Sequence, residues 1–359
     1  MNIFKERTIL LVWFCVLLTL IGGCASGAST TAWSTVSVSE GVLYMGSQAG
    51  RVYALDASTG AEIWQYPQAA DSAVAGPIYA APALFGGIVY VGSLDKNFYA
   101  IDASAGTQRW QPFTAGDRIF GGAVVDDDGT VYFGSDDHKL YALDVSSGAK
   151  KWEFSTDNWI WGSPFLSAGS VYVASFDHKI YCLEADSGRE QWYFEAGGAF
   201  ADGPAVAEGL VYGGAFDSKV YALDADSGQL RWEFKTSHWV WAAPLVVDGT
   251  LYVGSLDHKL YALDALTGTK KWDFDAQGMI RAKPAYAAGL LYVGTEAGTL
   301  YAVDAATGQQ QWAFEAGASI LSSPDVSEDM VYVSVLGDTV YALDAQTGVQ
   351  HWTVNPSKR

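Results

Sequence analysis

The sequence predicts an all-β fold, an eight-bladed β-propeller whose blades are four-stranded antiparallel sheets. Three observations predict it. Tryptophan recurs as Trp64, Trp110, Trp152, Trp192, Trp232, Trp272, Trp312 and Trp352, at intervals of 46, 42 and then 40 residues. An acid stands eight residues before each of them and a glycine four before, giving the consensus Tyr-Ala-Leu-Asp-Ala-x-Thr-Gly-x-x-x-Trp. Between these marks, β-branched and aromatic runs alternate with turn residues, as short strands do. A four-stranded sheet repeated about every 40 residues marks a propeller blade, and a closed ring of blades leaves no long exposed sheet edge.

The chain begins with a separate element. Lys5 and Arg7 precede the apolar run Thr8 to Leu20, which is followed by Ile21, Gly22, Gly23 and Cys24. The run is shorter than the roughly 20 residues of a spanning helix, so it reads as an export signal. Ile-Gly-Gly-Cys resembles a bacterial lipobox, which implies acylation of Cys24. The expected organisation is a lipoprotein signal peptide over 1–23, a lipidated Cys24 with a short tether to 32, and the propeller over 33–359. With Cys15 removed and Cys24 blocked, Cys182 is the one remaining thiol of three. It replaces the Ala of Tyr-Ala-Leu and reads as a small buried hydrophobe. An exported chain without a disulfide relies on its core.

Blade 6 illustrates the elements that follow. Strand A is WAAPLVV from Trp241, turning at Asp248-Gly249, a pair suited to a tight hairpin. Strand B is TLYVGS, and Asp257-His258-Lys259 form the next turn. Strand C is LYALD, closed by Ala265 to Gly268, where glycine supplies positive φ and the acid caps turn amides. Strand D is KKWDF. The repeated tryptophans dock between neighbouring blades, where truncating one costs about 3–5 kcal/mol. Blade 1 owns four strands between Trp33 and Tyr66, which offers no obvious borrowed strand and leaves the means of ring closure open; residues 25–32 are available to add one.

The Ala-x-Asp-x-x-Thr-Gly-x-x-x-Trp pattern, in register eight times over residues 33–354, resembles the tryptophan-docking motif of the PQQ-like β-propeller repeat family. One branch of that family holds quinoprotein dehydrogenases. Another holds the BamB lipoproteins, non-enzymatic members of the machinery that inserts outer-membrane β-barrels. The dehydrogenases couple PQQ and calcium to an Asp base, commonly with an adjacent Cys-Cys pair; this chain has no such pair and no long insertion between blades 3 and 8. The resemblance therefore implies a BamB-like, membrane-anchored envelope scaffold without cofactor or catalytic residue, monomeric, with envelope proteins such as β-barrel assembly components as partners. The location implied is the outer membrane facing the periplasm, or the outer face of the cytoplasmic membrane in a single-membrane cell. The alternatives are a PQQ-dependent dehydrogenase and a generic extracytoplasmic ligand-binding or sensing propeller.

Positions equal in every blade serve the scaffold, so particular function is sought where blades differ. At the start of strand A one column reads Trp33, Tyr79, Phe120, Trp161, Ala201, Trp241, Arg281 and Leu321. Two residues earlier another reads Thr31, Pro77, Arg118, Trp159, Ala199, Trp239, Met279 and Ser319. Between them runs an apolar column, mostly Ile, that reads as core. Alternation puts the two variable columns on one side, near the mouth of the central channel and on the face of the B–C turns. The doublets Trp159/Trp161 and Trp239/Trp241 either pack between blades or form an aromatic rim for a partner or flat ligand. Asp202 and Lys283 are charged exceptions in columns of small residues and either face channel water or await a ligand. Tyr79, Phe120, Arg118 and Arg281 complete the candidate rim.

Other chemistries are disfavoured. A net charge of -19, from 21 basic and 40 acidic residues, opposes nucleic acid, whose binding draws on Lys and Arg. His138, His178 and His258 lie in Asp-His-Lys turns of different blades, in a slot that elsewhere holds Gly50, Lys96, Ser218, Gly298 and Asp338. They read as turn residues and not metal ligands. Asp126-Asp127-Asp128-Gly129 is a hairpin turn one residue longer than its counterparts and lacks the spacing of a calcium loop.

Overall fold

The computed structural model describes residues 35–68 and 75–358. The signal segment, Cys24, the tether and Trp33 lie outside those residues. Eight four-stranded sheets follow one another, each with its strands in sequence order and every pairing antiparallel. The blades span 36–66, 83–114, 124–155, 165–195, 205–235, 245–275, 285–315 and 325–354.

Strands B and C are buried on both faces because each blade is covered by a neighbour on either side; in blade 6 every residue of Thr250–Gly254 and the four central residues of Lys259–Asp264 are buried. Such doubly covered strands carry continuous rather than alternating apolar runs. The core consequently lies between blades. Tyr252, Leu260 and Ala262 of blade 6 pack on Ile280, Leu291, Val293 and Val303 of blade 7. Strand D forms the outer edge, where exposed charges such as Lys270 discourage pairing with another chain.

Strand A is shorter than WAAPLVV predicts. In blade 6 it is Leu245–Val247, beginning after Pro244, which has no N–H to give to a ladder. The Asp248-Gly249 turn has φ of 47° and 67°, both in the left-handed region, as the predicted two-residue hairpin requires. At the C–D turn Asp264 Oδ1 accepts the Thr267 amide at 3.0 Å and the Thr267 hydroxyl at 2.8 Å.

The docking contact is the same at all eight seams. Each indole N–H donates to a backbone carbonyl of the next blade: Trp64 to Ala103 at 2.8 Å, Trp232 to Ala265 at 2.9 Å, Trp272 to Ala305 at 3.1 Å. The consensus glycine of the next blade lies on that indole. Gly268 has φ of 70°, and a Cβ there would stand 2.7 Å from the Trp232 ring, so both backbone shape and space demand glycine. On its own sheet each docking tryptophan except Trp110 faces the small residue of Tyr-Ala-Leu, Ala262 for Trp272 and Cys182 for Trp192, which explains the buried cysteine.

The ring closes with this device and not with a shared strand. Trp352 donates to Ala57 at 3.0 Å and Tyr332 to the same carbonyl at 3.1 Å, while Asp325 accepts the Val38 amide at 2.7 Å. Among the described residues no blade borrows a strand.

Candidate functional site

The segments preceding each strand A converge on the axis. There Gly162 and Gly203 lie so close to the adjacent segments that a Cβ on either would meet backbone at 2.1 Å and 2.0 Å. Among the described residues the column between the variable ones is core: Ile119, Ile160, Val240, Ile280 and Ile320 are all buried. Burying that column turns its neighbours to the opposite side, toward the channel mouth. Tyr79, Phe120, Trp161, Trp241, Arg281 and Asp202 accordingly line one central cavity of about 150 Å³.

The doublets pack against other aromatic rings at the channel mouth, several of them from other blades. Trp159 and Trp161 stack on each other, with centroids 5.5 Å apart and planes at 2°. Trp161 lies 4.9 Å from Phe120, which lies 5.9 Å from Tyr79. In the other direction Trp161 contacts Phe176 at 4.5 Å and Trp241 at 6.5 Å, and Phe216 stacks on Trp239 at 4.7 Å. The result is a continuous aromatic arc over blades 2 to 6. Trp241 is buried within it, while Trp159, Trp161 and Trp239 keep part of their surface in solvent.

Phe176 and Phe216 are rim residues that the two variable columns miss. They occupy the first position of the B–C turn, whose column reads Gln48, Leu94, Asp136, Phe176, Phe216, Leu256, Glu296 and Leu336. Its backbone is tied to the rim, the amide of Phe176 donating to Trp159 O and that of Leu256 to Trp239 O, both at 2.9 Å. The signal that finds it is its variation between blades, of the same kind as in the other two columns.

That third column also supplies the acids that hold the rim arginines. Arg118 pairs with Asp136 at 2.8 Å and sets its guanidinium 5.2 Å from the Phe120 centroid. Arg281 pairs with Glu296 and lies 4.5 Å over Trp241. Each arginine thus caps an aromatic face while a carboxylate fixes its position. Asp136 also accepts the Trp161 indole N–H at 2.6 Å. Burial pushes its carboxyl up to about 6, against the opposing pull of Arg118 and Trp161.

Asp202 lines the cavity with both carboxylate oxygens already engaged. Its Oδ1 accepts the Gly203 amide at 2.7 Å and its Oδ2 the Ala243 amide of the next blade at 3.0 Å, so it clamps two inner segments together. Asp325 repeats the arrangement at the closing seam with its own neighbour Val326 at 2.8 Å and Val38 of blade 1 at 2.7 Å. Burial raises both carboxyls above the usual range. Lys283 makes no hydrogen bond or ion pair among the described residues, and its ammonium is lowered by burial against the attraction of Asp202.

The turn histidines follow backbone demand. His138, His178 and His258 have φ of 69°, 76° and 75°, and Lys96 and Ser218 in the same slot have 77° and 67°. Among the described residues no group of three His, Cys, Asp or Glu side chains is placed to hold a metal ion. Asp126 caps its own turn, taking the Thr130 amide and the Tyr132 hydroxyl at 2.7 Å each.

A family profile described as outer membrane protein assembly factor BamB matches residues 23–120, 113–199, 176–282 and 276–358. Among solved structures, BamB from Moraxella catarrhalis superposes with a TM-score of 0.67 at 23% identity, covering 77% of this chain and 84% of that one. The computationally designed Ika8 protein superposes with a TM-score of 0.73 at 16% identity, covering 90% and 96%. At these identities both establish the fold. A comparison with curated protein sequences finds no match.

Proposed function

Because this chain belongs to the family of the outer membrane protein assembly factor BamB, we propose that it is a non-enzymatic scaffold of the cell envelope that binds other proteins through its central rim. The observation that carries this reading is the arc of aromatic rings capped by Arg118 and Arg281, with Trp159, Trp161 and Trp239 partly exposed. Tryptophan, tyrosine and arginine dominate binding energy at protein interfaces, and here ring contacts and carboxylates position them.

Anchoring through an acylated Cys24 completes the proposal. The tether over residues 25–32 reaches at most about 29 Å, which keeps the disc near its membrane: the outer membrane facing the periplasm, or the outer face of a single cytoplasmic membrane. β-barrel assembly components are the proposed partners.

The quinoprotein alternative has less support. The central cavity of about 150 Å³ is smaller than the roughly 300–1,000 Å³ of small-molecule sites. Addition of PQQ and calcium is expected to leave tryptophan emission and dye-linked alcohol oxidation unchanged, and a saturable response would favour the enzyme. The scaffold role is tested by crosslinking in cells from positions 159 and 239. Capture of barrel-assembly components is expected, whereas a sugar-processing enzyme or a receptor at these positions would redirect it.

A further inference from the structure

The chain enters the propeller on the rim. Thr35 lines the central cavity and its hydroxyl donates to the Tyr79 carbonyl at 3.3 Å, so the point of entry is fixed beside the aromatic arc. From there strand A of blade 1, Val36–Ser39, runs away from the rim to the A–B turn at Glu40-Gly41. That turn shares the opposite face with the C–D turn, the Ala57 amide donating to Gly41 O at 2.9 Å. Whatever holds the chain upstream of Thr35 therefore acts on the rim face.

The two faces also differ in charge. Each strand C ends on the opposite face at its consensus acid, and Arg109, Arg189, Arg231 and Lys271 pair with four of these eight. The A–B turns add Glu40, Asp127, Asp128, Glu208, Asp248 and Glu328, all exposed and none in an ion pair among the described residues. Anionic lipid headgroups repel such a face.

Chain length points the same way. Ten residues separate Cys24 from Thr35, and ten residues span at most about 36 Å. To lay the acidic face on the membrane they would run about 14 Å outward across four strands and about 26 Å down a six-residue strand with its turns, roughly 40 Å before any side chain is cleared. They fall short. With the rim toward the membrane the same residues reach without crossing the disc.

We propose that the rim face is turned toward the membrane that holds Cys24, so that the partner it fits is a protein segment emerging from that membrane and not one arriving from the bulk compartment. This orientation rests on the anchored-scaffold reading and adds to it the side from which the rim is approached.

The test uses the protein purified from membranes and reconstituted in vesicles of phosphatidylethanolamine and phosphatidylglycerol that carry an acceptor dye on the headgroup. Donor dyes are attached to single cysteines at exposed positions: Met279→Cys on the rim, Glu328→Cys on the acidic face, and Ile63→Cys and Leu230→Cys on the outer edges of blades 1 and 5. Cys182 is buried and stays unlabelled. Across the roughly 26 Å between the faces, energy transfer is expected to be about twofold more efficient from position 279 than from position 328, with 63 and 230 equal and between them. Equal transfer from 279 and 328, as an edge-on disc gives, or stronger transfer from 328 would overturn the proposal. Flotation with the vesicles separates the causes: protein that floats without a preference for 279 overturns the orientation and leaves the anchored scaffold standing, and protein that does not float removes the anchor and the orientation with it. In cells, a photocrosslinker at position 279 is expected to capture a protein that mass spectrometry identifies as embedded in the membrane. Capture of soluble proteins alone would overturn the choice of partner.

Discussion

Trp352 donates its indole N–H to the carbonyl of Ala57 at 3.0 Å, across 295 residues of sequence. This bond is chemically the same as those that join sequence neighbours, so the ring closes with its ordinary seam contact. Trp352→Ala is expected to destabilise the protein by about 3–5 kcal/mol. Trp352→Phe is expected to cost about 1 kcal/mol, because Tyr332 still donates to the same carbonyl. Urea denaturation of the three proteins checks the ranking.

Gly268→Ala and Gly249→Ala separate two demands on glycine. Both residues have positive φ, 70° and 67°, which costs a Cβ about 1–2 kcal/mol. Only at Gly268 would that Cβ also meet an indole at 2.7 Å; at Gly249 the nearest atom is 3.7 Å away. Gly268→Ala is therefore expected to lower the denaturation midpoint further, by roughly 1 kcal/mol or more beyond the other.

Phe200 stands in a column that holds Ile or Val in every other blade but the first, and Gly213 stands where the other blades carry larger residues. A Cβ at Gly213 would lie 2.7 Å from Ile180 and 3.0 Å from Phe200. Gly213→Val is expected to destabilise by about 1–3 kcal/mol. Adding Phe200→Ile is expected to recover part of that loss, and a thermodynamic cycle over the two substitutions measures the coupling.

Tyr252→Phe removes a seam bond of 3.0 Å and is expected to cost about 1 kcal/mol. Tyr44→Phe removes a hydroxyl that bonds nothing among the described residues and is expected to be neutral or stabilising. Thermal melts of both variants are the check.

Asp136 makes the rim pH-sensitive. Its folded-state pKa, pushed up to about 6 by burial, lies above the ordinary value of about 3.9. The folded protein therefore holds this proton more tightly than the unfolded chain. The associated stability is full below the ordinary value and is lost as pH rises through 6. The Trp161 indole resonance is expected to titrate with a midpoint near pH 6, and Asp136→Asn to abolish that titration. A Trp161 signal flat between pH 5 and 7.5 in the native protein would refute the assignment.

The repeat of tryptophan, acid and glycine was enough to specify the fold, because each member answers a local need that recurs. The indole requires a carbonyl and a bare Cα on the next blade, and the acid requires turn amides. Comparing blades also pointed to the rim, since an apolar column that must be buried turns its neighbours to the channel. Three-dimensional placement decided the rest. Trp161 and Trp241 meet through Phe176 and Phe216, which a different turn delivers. Asp202 became a clamp between blades because a neighbouring amide lies 3.0 Å away. That Tyr44 makes no bond to Ala103, where the strand B tyrosines of the other seven blades each reach a carbonyl of the next blade, is invisible in a motif that blade 1 shares with the others, because a hydrogen bond depends on where folding brings donor and acceptor and not on the residues each blade carries.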